Sequence, residues 1–152
     1  MGDRANIRIT SHIGDRESNV YLYSHHLGED VIFSVIKGLQ SNRVTDDAYL
    51  ARIIFSDLIH DDLYGETGFG ISSEVALSDH PVIHIDIDRK TNQTSVRFET
   101  DEGEELTDYV DIPTFLTVFN ANRGHIISDF YDATTDGQLY KYMIMNLKLI
   151  VL

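Results

Sequence analysis

The run Ile83-His-Ile-Asp-Ile-Asp88 alternates apolar and polar residues without a break. Successive side chains of a strand point to opposite faces, so this period of two fits a strand. Ile83, Ile85 and Ile87 then face a core, and His84, Asp86 and Asp88 share the other side. Thr94–Glu99 answers it after Arg89-Lys-Thr-Asn-Gln93, so Pro81–Asp88 and Thr94–Glu99 read as a hairpin. A second antiparallel hairpin is expected from Ala5–His12 and Asn19–His25, around Gly14 and Asp15.

Other segments carry helical spacing. In Glu29–Gln40, Val31, Ile32, Val35, Ile36 and Leu39 recur at intervals of three and four. Thr45-Asp46-Asp47 supplies an N-cap and first-turn acids for a helix running to about His60. That helix is apolar nearly all round, which predicts a buried one. Asp61–Gly70 reads as a loop and Asp101–Glu105 as an acidic surface loop. Asp111 with Pro113 predicts a helix over Thr114–Phe119. Leu139–Leu152 mixes both periods; a long strand is favoured, with a helix as the alternative. The expected fold is a single α+β domain over residues 1–152, with a mostly antiparallel sheet and two or three helices.

The chain has 152 residues, 42% of them hydrophobic, and no cysteine. A folded core needs no staples at this size. Disulfides, thiolate–zinc sites and a cysteine nucleophile are excluded. The net charge is −13, with only 12 Lys and Arg residues. Direct nucleic-acid binding is therefore not expected, because phosphates need clustered cations. No membrane-spanning run is present and Met1–Thr10 is too charged for a signal h-region, so the expected place is the cytoplasm. The residues from Tyr140 to Leu152 are too apolar for a free tail. They either lie in the sheet or meet a second copy, so a homo-oligomer is expected.

The N-terminal hairpin is richer in ligand-gripping side chains than a scaffold needs. Arg4, Tyr21, Tyr23 and His25 stand on it. Tyr49, Arg52, Ser56 and His60 follow at helical intervals, and Arg52 on a buried helix would need Asp3, Asp57 or an anion as partner. Arg4, Tyr21, Tyr23, His25, Tyr49, Arg52 and Ser56 are the expected ligand-binding set. The alternative is a divalent metal held by His25, His84, Asp86 and Asp88, against the plain reading of a wet strand face. Gly68-Phe-Gly-Ile-Ser-Ser73 offers backbone N–H groups to an anion, or simply a turn. No Walker loop, G-x-G-x-x-G or G-x-S-x-G pattern accompanies these residues.

Met-Gly-Asp-Arg-Ala-Asn-Ile7, Tyr21-Leu-Tyr-Ser-His25, Tyr49-Leu-Ala-Arg-Ile-Ile-Phe-Ser56 and Gly68-Phe-Gly-Ile-Ser72 together resemble a family of small uncharacterised proteins of bacteria and their phages. The resemblance covers about the first half of the chain. It implies a bacterial or phage-infected host cell but no activity and no site residue. The first expectation is thus a non-enzymatic module binding a small anionic, nucleotide-like ligand, in the setting of a host-defence antagonist. A metal-dependent hydrolase using the His/Asp cluster is the alternative. An acidic protein antagonist or DNA mimic is the third reading.

Overall fold

A computed structural model describes residues 2–124 and 137–150. Strand β1 (Ala5–Ile13) turns through Gly14 into β2 (Arg16–Ser24), followed by helices α1 (Val31–Leu39) and α2 (Asp47–Leu58). Strand β3 (Phe69–Ser72) precedes the hairpin β4 (Val82–Asp88) and β5 (Gln93–Glu99). A short β6 (Val110–Asp111) leads into α3 (Ile112–Asn122), and α4 (Gln138–Lys148) closes the described chain. The fold is α+β.

The six strands form one sheet in the order β3-β2-β1-β4-β5-β6. All neighbours are antiparallel except β1 and β4, which run parallel with Ile7 opposite Ile83 and Ile9 opposite Ile85. Period two then sorts the side chains. Ile7, Ile9, Leu22, Ile83, Ile85, Ile87, Val96 and Phe98 point to one face and are buried. The four helices lie in the same core, through residues such as Val35, Ile54, Phe115 and Met143. Burying some 25 apolar side chains in one cluster supplies most of the driving force for this arrangement. The other face carries mostly polar side chains, and among the described residues no helix packs on it.

Local signals set the helix ends. Asp46 accepts from the Tyr49 N–H at 3.0 Å and caps α2. Asp111 accepts from the Thr114 N–H at 2.9 Å and caps α3, with Pro113 in the first turn.

Three expectations are corrected. Segment Gln138–Lys148 is a helix, because Leu139, Tyr140, Met143 and Leu147 meet the core at helical spacing. Leu139, Tyr140, Met143 and Leu147 are covered within the chain, whereas Met145 and Leu149 are exposed. The residues 151–152 lie outside the described part. Helix α2 is not buried all round: only Leu50, Ile54 and Leu58 are, while Tyr49, Arg52, Ser56 and His60 are exposed. A two-layer fold covers one side of such a helix and leaves the other to water. Finally, Gly68 to Ser72 is no anion-cradling loop, since Phe69–Ser72 pairs with β2 as an edge strand.

Candidate functional site

The open sheet face holds the charged chemistry of this protein. Its residues sit in rows across the strands. One row runs Ser72, Tyr21, Arg8, His84, Arg97 from β3 to β5. The next holds Asn19, Thr10, Asp86 and Ser95, and the one beyond it Glu17, His12, Asp88 and Gln93. The strand periodicity that buries Ile83, Ile85 and Ile87 therefore delivers His84, Asp86 and Asp88 to this face, as their spacing predicts.

His84 is not wet, however. It is 2% exposed, and so is Glu99. His84 Nδ1 lies 2.7 Å from Glu99 Oε1 and 2.9 Å from the Tyr109 hydroxyl. The Thr10 hydroxyl bridges His84 Nε2 and Asn19 Oδ1, each at 2.6 Å. Arg8 donates through Nη1 to Glu99 Oε2 and through Nε to Asn19, both at 2.9 Å. Arg97 Nε donates to Glu99 Oε1 at 3.3 Å. Two guanidinium groups and an imidazole thus converge on one buried carboxylate. Burial alone would raise the Glu99 carboxyl, but its hydrogen bonds to His84 and Arg8 and their charges more than offset this and hold it at about 2.

Aromatic rings frame the network on both sides. The Arg97 guanidinium lies 4.5 Å from the Tyr109 ring centroid, and Arg8 lies 5.9 Å from that of Tyr21. Burial pushes the Tyr109 hydroxyl up to about 12; Arg97 opposes this, while Asp86 and Glu99 add to it. Tyr109 stays a neutral phenol at ordinary pH and has no use there as a base. Beside it, His12 Nε2 is paired with Asp86. A cavity of about 460 Å³ opens on the far side of Tyr109, lined by Asp86, Asp88, Ser95 and Asp111 among others.

At the other end of the face, the connection from β3 to β4 crosses β2 and β1. The Asn6 side chain holds it by bonding both backbone groups of Ala76, at 2.9 and 3.3 Å. Arg4 grips Asp79 with two donors, at 3.1 and 2.9 Å. His80 pairs with Asp3 at 2.5 Å. The Asp79 carboxyl is held at about 2 by its hydrogen bonds from Arg4.

The expected ligand set is divided by this geometry. Tyr21 and Tyr23 alternate with buried Leu22 and stand on the open face, where Tyr23 hydrogen-bonds His25 Nδ1 at 2.8 Å. Arg4 stands at the same end but is occupied by Asp79. Tyr49, Arg52 and Ser56 sit on the outer side of α2, which packs on the opposite face of the sheet. The two groups stand on opposite sides of the sheet. The expected partners of Arg52 are engaged elsewhere: Asp3 by His80, and Asp57 by Lys37 and Ser34. The metal set does not assemble either. Both ring nitrogens of His84 face protein groups, His25 lies near Gly2 beyond the end of β2, and no group of three metal-ligating side chains exists among the described residues.

Sequence reasoning did not single out Arg8, Thr10, Asn19, Arg97, Glu99 or Tyr109 as site residues. The period of two in their strands was the available signal. Their convergence depends on pairings between distant strands. Fold and face together define an α+β protein whose helices, among the described residues, pack on one sheet face and leave the polar face to the β3–β4 connection and solvent. No family model, curated protein or solved structure matches the chain. Among the described residues, no helix is long and apolar enough to cross a membrane.

Proposed function

We propose that this protein is a binding module, and that its open sheet face receives a small anionic ligand bearing a planar ring. One observation carries the reading. The row Tyr21, Arg8, His84, Arg97, extended by Tyr109 stacked on Arg97, is a cationic and aromatic band on a chain of net charge −13. Arg8 and Arg97 share the Glu99 carboxylate, so positive groups outnumber buried negative ones along the band. A guanidinium fork suits an oxyanion, and half-buried phenol rings suit stacking.

The Thr10 hydroxyl, 2.6 Å from His84 Nε2, is fully buried and also bonds Asn19, so it is held as part of the network. The Ser24 hydroxyl is buried and accepts from the backbone of Leu27 at 3.1 Å, which is a structural duty. Adenosine monophosphate is a suitable probe. Calorimetric titration should show binding to the wild type, loss in Tyr21→Ala and weakening in Arg97→Lys, which keeps charge but not the fork. Asp88→Asn should bind as the wild type does. Absence of heat with the wild type, or equal loss in Asp88→Asn, would exclude this face as the site.

A further inference from the structure

His84 stands on the open sheet face, yet it is buried and both of its ring nitrogens have close polar neighbours. Charged and titratable groups reach it from each adjoining element. Strand β1 supplies Arg8, β5 supplies Arg97 and Glu99, and the segment before β6 supplies Tyr109. Asp86, the next residue on this face of β4, is paired with His12.

Donor counting fixes the hydrogens around Nε2. A guanidinium only donates, so the Asn19 Oδ1 atom that meets Arg8 Nε at 2.9 Å is an acceptor. The Thr10 hydroxyl lies 2.6 Å from the same oxygen and gives it its one hydrogen. Thr10 is then an acceptor towards His84, so Nε2, at 2.6 Å from it, carries a hydrogen. The proton that His84 gains or loses is therefore the one on Nδ1.

Nδ1 faces two oxygens of different character. Glu99 Oε1, at 2.7 Å, belongs to an ionised carboxylate that also receives Arg8 and Arg97, and it can only accept. The Tyr109 hydroxyl, at 2.9 Å, is a neutral phenol and can donate as well as accept. Each oxygen suits one state of the ring. With Nδ1 protonated, its N–H donates to Glu99 and the phenol hydrogen is free to point elsewhere. With Nδ1 bare, the Tyr109 hydroxyl is the neighbour able to supply a hydrogen to it. Tyr109 also stacks on Arg97 and lines the cavity of about 460 Å³, so the direction of its O–H matters at the surface of the band.

We propose that His84 is a proton switch for the open face. Loss of its Nδ1 proton turns the Tyr109 O–H inward onto the ring, and its return releases that donor to the face together with one positive charge. Histidine is the side chain whose charge ordinarily changes between about pH 5 and pH 8. The consequence for binding, a weaker hold on an anion as pH rises, rests on the function proposed above; the switch itself does not.

Nitrogen-15 NMR of the His84 ring in the ligand-free protein, followed from about pH 4 to about pH 10, tests the switch. The neutral ring should be the Nε2–H tautomer, with Nδ1 bare. The Tyr109 Cζ resonance should shift with the same midpoint, because its hydroxyl changes partner there. Tyr109→Phe keeps a ring on Arg97 but removes the donor to bare Nδ1. The neutral form then loses a hydrogen bond, so the His84 midpoint should rise by about half to one pH unit, a roughly three- to tenfold gain in proton affinity. The opposite tautomer, a Tyr109 signal that ignores the His84 titration, or a midpoint unchanged or lowered in Tyr109→Phe overturns the proposal. So does a ring that keeps one protonation state throughout. These signals need no ligand, so a failure of adenosine monophosphate to bind would count against the open-face reading and not against the switch.

Discussion

Arg8 on β1 reaches across β4 to put its guanidinium nitrogen 2.9 Å from the carboxylate of Glu99 on β5. The two residues are 91 positions apart in the chain. Removing the acid from this site would leave Arg8, Arg97 and His84 facing one another without their common partner. Taking one member from a buried pair costs about 3–5 kcal/mol, whereas exposed pairs are worth about 0–1. Glu99→Gln should therefore destabilise by several kcal/mol. Glu105→Gln, at an exposed acid that meets Arg97 at 3.4 Å, should stay within about 0.5 kcal/mol. Urea unfolding of the two variants makes the comparison, and equal midpoints would mean that the network contributes nothing.

The same carboxylate should govern stability in acid. Its folded value is about 2 against an ordinary 4.5, so the folded state holds it ionised more strongly than the unfolded chain does. A depressed carboxyl stabilises fully above the unfolded value and loses that contribution as pH falls through the folded one. The shift corresponds to roughly 3 kcal/mol, lost progressively between about pH 4.5 and pH 2. The stability gap between wild type and Glu99→Gln should narrow across that window. A gap constant with pH would show that Glu99 titrates as an ordinary surface acid.

Arg97→Ala should damage the protein more than Arg52→Ala. The sequence leads to the opposite ranking, because Arg52 sits in a helix read as apolar all round. In the structure Arg52 is exposed, while the Arg97 side chain is 16% exposed, stacks on Tyr109 and bonds Glu99. Truncating Arg97 should cost about 1–3 kcal/mol through lost stacking and a lost charged hydrogen bond, and Arg52→Ala less than about 0.5. Melting temperatures that match, or that fall in the reverse order, would restore the buried-helix reading.

This reversal marks where the sequence stopped being informative. Strand faces were legible because Ile83, Ile85 and Ile87 impose a period that only one pairing face can satisfy. The capping roles of Asp46 and Asp111 were legible because a cap is a local interaction over three residues. The parallel pairing of β1 with β4 leaves no local trace, yet it alone carries Arg8 beside His84. The polar network could not be read without it. The C-terminal segment failed for a different reason. Tyr140, Tyr142 and Ile144 alternate like a strand, while Leu139, Met143 and Leu147 recur like a helix. Only the packing of Met143 and Leu147 in the core decides between them.

Gly28 and Gly14 offer a matched pair for separating backbone strain from crowding. Both have left-handed backbones, with φ of 55° and 59°. An added Cβ at Gly14 meets nothing within 4 Å, whereas at Gly28 it runs into the Asp3 carboxylate. Gly14→Ala should cost about 1 kcal/mol, the ordinary strain of that conformation. Gly28→Ala should cost distinctly more, because Asp3 must move away from His80 and the Gly28 N–H from the Asp3 carbonyl it bonds at 2.9 Å. Equal losses in the two variants would show that the N-terminal segment yields freely to the new methyl group.

Tyr140 supplies the sharpest test of how α4 is seated. Its ring lies 5.0 Å from that of Phe98 and 6.1 Å from that of His80, and its backbone N–H donates to Glu29 at 2.6 Å. Among the described residues its buried hydroxyl has no hydrogen-bond partner. Burial raises that hydroxyl well above its ordinary value, and the carboxylates of Glu29, Asp30 and Asp3 push it further, so it remains protonated. An unpaired buried hydroxyl carries a desolvation cost with no return, so deleting it while keeping the ring should help. Tyr140→Phe is expected to be neutral or to stabilise by up to about 1 kcal/mol, while Tyr140→Ala should lose about 3–5 through the cavity it leaves. A loss above about 1 kcal/mol in Tyr140→Phe would reveal a partner for the hydroxyl and a different seat for α4.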